Sequence, residues 1–117
     1  MTQPTNAELD RFLAEEVMGW SICGEGKNAC YCKGAGHNYA HVSFNDWHPS
    51  ADIARAIGCV KKWCNDNAGA MTADWDANRN TWIINLWRED WDAAEIENEE
   101  YAFAICLALY EAMKCGE

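Results

Sequence analysis

Positive charge is scarce in this chain. Its 117 residues hold 9 Lys and Arg against 19 Asp and Glu, for a formal net charge of −10. Gripping a phosphate backbone takes clustered Lys and Arg, so direct binding to nucleic acid is not expected. Such a balance serves solubility, or it aims an acidic face at a basic partner. Long apolar runs are missing as well. None approaches the ~18 residues that a membrane helix needs, and no membrane role is expected. The opening MTQPTNAELD has neither the basic nor the apolar region of a secretory signal, which points to the cytoplasm. The seven cysteines, an odd number, are then expected as reduced thiols or metal ligands and not as structural bridges. Repeats and low-complexity linkers are absent. So are the phosphate loops GxGxxG and GxxxxGKS/T, the GxSxG elbow and the HExxH pair, and nothing argues for an enzyme.

What is present describes one compact domain over residues 1–117, half apolar and carrying seven tryptophans. The spacing predicts a helix from about Asn6 to Met18, opened by a Thr5/Glu8 capping box and stopped at Gly19. Its apolar face is Leu9, Phe12, Leu13 and Val17. Ala40, Val42 and Phe44 alternate with polar residues as in a half-buried strand over 38–44. A second helix is expected to start at Ser50 as N-cap and to bury Ile53, Ile57, Val60 and Cys64. Residues 70–75 and 81–87 read as a hairpin joined by DANRN, with the second strand central and covered on both faces. The last helix, YAFAICLALYEAMK, is apolar nearly all round. It must pack on several neighbours or form a homodimer.

Two segments invite a functional reading. The first, CGEGKNACYCKGAGH at residues 23–37, lies in a Cys/Gly-rich insert at about 21–37. Cys23, Cys30 and Cys32, with His37 or His41, can supply four zinc ligands, although the spacing matches no standard finger. The plain alternative is a mobile loop with incidental thiols, which can still carry recognition. Cys64 and Cys106 fall on helix stripes and read as small hydrophobes. The second segment, EDWDAAEIENEE at 89–100, holds seven carboxylates in twelve positions. It can imitate a phosphate backbone and fill a basic groove on another protein. Otherwise it is a solvated loop with charges that favour the start of the last helix. Glu89, Asp90, Trp91, Asp92 and Glu95, with Trp87, are the candidate partner-binding residues. Trp82 and Trp87 fall on opposite faces of one strand, so one goes under a helix and the other remains for a binding surface.

Three stretches, ELDRFLAEEVMGW at 8–20, HPSADIARAI at 48–57 and FAICLALYEAM at 103–113, resemble small phage and prophage proteins of the phage ABA sandwich family. Ile57 departs from that family, where an aromatic is usual. The resemblance implies an α/β sandwich and a phage or prophage origin, and it implies no reaction. The expected fold is therefore α+β, with about three helices packed on a small antiparallel sheet of about three strands. The expected function is that of a non-enzymatic accessory protein in the host bacterial cell. It would bind and inhibit a host protein, such as a defence component. The alternatives are a small-molecule or nucleotide binder and a zinc-stabilised structural module.

Overall fold

The computed structural model of the chain describes residues 3–23, 30–33, 40–88 and 91–115, and for residues 23, 33, 40, 41, 45, 91, 92 and 115 the backbone alone. The fold is α+β, with three helices and two three-stranded antiparallel sheets.

Helix α1 spans Asn6–Phe12. Thr5 and Glu8 form the expected capping box. The Glu8 N–H donates to Thr5 Oγ1 at 3.2 Å, and the Thr5 N–H donates to Glu8 Oε1 at 3.1 Å. Two of the free donors at the helix start are thus satisfied reciprocally. The expected helix to Met18 then widens into a π-turn over Leu13–Val17, in which the Met18 N–H reaches the Leu13 carbonyl at 2.9 Å. Gly19, at φ +74°, ends it in a conformation that costs a glycine little. Leu9, Leu13, Ala14 and Val17 are buried.

The chain next forms β1 (Ser21–Cys23), β2 (Cys30–Lys33) and β3 (Ala40–Ser43), a small sheet in the order β1-β2-β3. The predicted strand at 38–44 is thereby confirmed over 40–43, while Phe44 opens a 3-10 turn to Asp46. A second 3-10 turn, Pro49–Ala51, leads to helix α2, Ile53–Asn67.

Two expectations for α2 are corrected. Its N-cap is Asp52, whose Oδ1 accepts the Arg55 N–H at 3.3 Å, and not Ser50. Ser50 is buried and donates its N–H to Asp10 Oδ1 at 2.9 Å, so its backbone serves a tertiary contact. The buried face is Ala56, Cys59, Val60 and Trp63, while Ile53 stays 51% exposed and Ile57 and Cys64 are half-buried. The small residues Ala56 and Cys59 let α2 approach its neighbour closely, and Trp63 fills the space at the far end.

The second sheet holds β4 (Gly69–Asp76), β5 (Thr81–Arg88) and β6 (Trp91–Asn98), in the order β4-β5-β6. The hairpin has its expected register, with Trp75 opposite Trp82 and Met71 opposite Leu86. At Gly69 a side chain has no room: a Cβ would lie 2.5 Å from the Trp63 ring and 2.7 Å from the Trp87 carbonyl oxygen. Helix α3, Tyr101–Cys115, follows. Residues Ala102–Leu109 and Ala112 are buried, because α3 lies between β5 and β6 on one side and α1, α2 and the 49–51 turn on the other. The apolar girth of α3 is thus used within one chain, which removes the packing reason for a homodimer through it. The stretches at 8–20, 48–57 and 103–113 meet in this packed unit.

Candidate functional site

Sheet register decides which of the candidate side chains share a surface. In β4-β5-β6 the inner face carries Met71, Ala73, Ile84, Leu86, Ala94 and Ile96 toward α3. Trp82 belongs to this face and stacks on Tyr101 of α3, with ring centroids 4.3 Å apart and planes at 23°. Trp87 has the opposite parity, so the expected division of the two tryptophans is what the register gives. The outer face is where β5 departs from expectation. The strand is central, but Ile83, Asn85 and Trp87 are only half-buried, and among the described residues no helix covers them.

Rows across that outer face run Asp74–Ile83–Glu97, then Thr72–Asn85–Glu95, then Ala70–Trp87–Asp92. An apolar-centred strand is therefore flanked by carboxylates from both edge strands. Arg79 neutralises one end, pairing with Glu97 and reaching Asp76 at 4.0 Å. Asp74 and Glu95 are exposed and form no ion pair among the described residues.

Of the predicted partner-binding residues, Trp87 and Glu95 stand on this face, and the register sets Asp92 beside Trp87. Trp91 pairs with Arg88 at the strand end; Glu89 and Asp90 lie outside the described residues. The acidic stretch is neither a loop nor a helix lead-in for most of its length. Residues 91–98 form β6, with a bulge between Leu86 and Trp87 of its partner strand. The signal was the alternation in AEIEN, where Ala94 and Ile96 point inward and Glu95 and Glu97 outward.

The cysteine segment supplies β1 and β2. Cys23 lies opposite Cys30 in the register, and Cys32 lies opposite Ser21 and His41. Cys30 is a half-buried free thiol, whereas Cys32 is buried and disulfide-bonded, with its partner outside the described side chains. A bridge here departs from the expectation of reduced thiols throughout. Its physical basis is the pairing of short strands that bring cysteine-bearing positions close together. A disulfide sulfur is not a thiolate ligand, so a zinc set containing Cys32 requires reduction first. Among the described residues no group of three or more His, Cys, Asp or Glu converges as a metal site, and His37 lies outside them. Cys59 and Cys106 are buried, and desolvation pushes both thiols up, Cys59 to about 12.

A second concavity went unread in the sequence. Between α1 and the β1–β3 unit lies an open cleft of about 700 Å³, lined by residues that include Asp10, Arg11, Ile22, Tyr31, Phe44, Trp47 and His48. Asp10 anchors it. Its backbone oxygen accepts Trp47 Nε1–H at 2.8 Å, its Oδ1 accepts the Ser50 N–H, and its Oδ2 stands 3.5 Å from His48 Nδ1. The available signal was a carboxylate on a core stripe, since Asp10 shares a helix face with Leu13 and Val17.

Comparison of the chain with protein-family models, with curated proteins and with solved structures finds no match.

Proposed function

We propose that this chain acts by binding a protein, through the outer face of the β4-β5-β6 sheet, and that the partner presents a basic surface. The observation that carries the reading is the uncovered central strand. Ile83 and Trp87 run down the middle of a sheet face whose edges bring Asp74, Glu95 and Glu97. An aromatic and aliphatic centre within a charged rim is the general anatomy of an interface hot spot. The net charge of −10 draws a positively charged partner and repels an acidic one. The resemblance of residues 8–20, 48–57 and 103–113 to phage ABA sandwich proteins supports a phage or prophage accessory role. The partner is then a host protein such as a defence component, bound in the bacterial cytoplasm and inhibited without catalysis. A zinc-stabilised module fits less well, because Cys32 is held in a disulfide.

The test is capture from bacterial lysate by three proteins in parallel: wild type, the double reversal Asp74→Lys/Glu95→Lys, and Phe44→Ala on the other side of the molecule. A host protein held by wild type and Phe44→Ala, lost by the reversal, and released as salt rises is the expected result. Retention by the reversal at wild-type level overturns the reading.

A further inference from the structure

We propose that the cleft between α1 and the β1–β3 unit binds a planar heteroaromatic base that presents N–H donors, of the guanine type, as a free base or nucleoside. This site is separate from the sheet face and does not depend on it, because α3 and its neighbours lie between them.

Its apolar part is conspicuous by exposure. The large hydrophobic side chains left open among the described residues are Ile22, Phe44, Ile53 and Trp75, and the first two, each 38% exposed, line this one cleft. Leaving them in water gains the fold nothing, whereas a flat ligand laid over them removes that surface from water. The aromatic walls are already fixed. Tyr31 packs on Phe44 with ring centroids 4.7 Å apart, and Trp47 is pinned by its bond to the Asp10 carbonyl and by an edge contact to Trp20 at 4.5 Å. Rigid rings lose little freedom when a base stacks on them.

The polar part selects what can enter. The Asp10 side chain is 9% exposed. Its Oδ1 is committed to Ser50 N–H at 2.9 Å, while the 3.5 Å separation of Oδ2 from His48 Nδ1 is longer than a good hydrogen bond. A carboxylate has about four acceptor positions, so this one still has room for a ligand's N–H groups. A ring without donors would cover a buried acceptor and leave it unpaired, which is how a polar site rejects the wrong ligand. Charge argues against phosphates on the ligand. Arg11 is the cleft's arginine, and its Nε is occupied by Glu15 at 2.8 Å in a chain of net charge −10. The cavity of about 700 Å³ lies within the range of small-molecule sites.

Isothermal titration of the full chain with guanosine, inosine and adenosine tests this. Guanosine is expected to bind, inosine, which lacks the exocyclic amine, about tenfold more weakly, and adenosine more weakly still. Phe44→Ala removes an exposed stacking wall and weakens guanosine about tenfold with an unchanged melting curve. Asp10→Asn weakens it at least as much; the nucleoside comparison needs no variant and holds even if that protein misfolds. No heat with millimolar guanosine, equal binding of adenosine, or unchanged affinity in Phe44→Ala each overturns the proposal.

Discussion

The two three-stranded sheets of this molecule are held together by different physics. Strands β4, β5 and β6 are eight residues each and lay one face on α3, with Ile84 and Leu86 fully buried. Strands β1, β2 and β3 have three or four residues each, too short to bury a comparable face. They are fastened by other means: a disulfide at Cys32 and an aromatic chain that runs Phe44, Tyr31, Trp20, Trp47. A sheet of the first kind stands or falls with the core. One of the second kind can loosen by itself, which suits an element that forms one wall of a ligand cleft.

The strongest way to break this contrast is Ile84→Ala. It leaves a cavity between β5 and α3 and is expected to cost about 2–5 kcal/mol, read as a lower urea midpoint for the whole chain. Loss confined to the β4–β6 amides would show that the core is not shared. Reducing the native protein with dithiothreitol is the complementary perturbation. It should raise amide exchange in β1–β3 about tenfold or more and leave β4–β6 protected. Equal loosening of both sheets would erase the distinction.

Alkaline pH sharpens it from the side of the core. Burial raises the Cys59 thiol from its ordinary 9.0 to about 12, and burial raises Cys106 in the same direction. The unfolded thiols ionise first, so the unfolded state sheds protons that the native state keeps. Stability is therefore complete below about pH 9 and falls as pH climbs toward 12. Urea midpoints at pH 8 and pH 10.5 measure the fall, and a midpoint that rises between them would contradict the buried assignment. The smallest effect belongs to the cap. Thr5→Ala should cost about 1 kcal/mol, seen as a small drop in melting temperature without a change in either sheet's exchange pattern.

Features governed by neighbours in the chain were legible. Thr5 with Glu8, Gly19, and the parity of Trp82 against Trp87 all follow from local spacing, and the structure has each of them. Errors came where a distant partner decides. Ser50 looks like a cap until Asp10, forty residues away, takes its N–H. The face of α2 was misread because large aliphatic residues suggest the buried side, whereas Ala56 and Cys59 face the core by being small. Strand β6 was hidden by its charge, since the carboxylates that suggested a loop occupy only one side of it. The cleft could not have been assembled from spacing, because its walls come from residues near 10, 22, 31 and 47.

The π-turn at Leu13–Val17 sets a limit that composition does not reveal. It accommodates one surplus residue in the backbone ladder, and everything beyond it inherits the resulting rotation. Excising any single residue there lets the ladder close as an ordinary α-turn and swings the following chain by about 100°. Trp20 would then leave its seat against Trp47 and Tyr31, and the small sheet would lose its aromatic latch to the body of the protein. Segment 13–17 therefore tolerates a change of residue type better than a change of length.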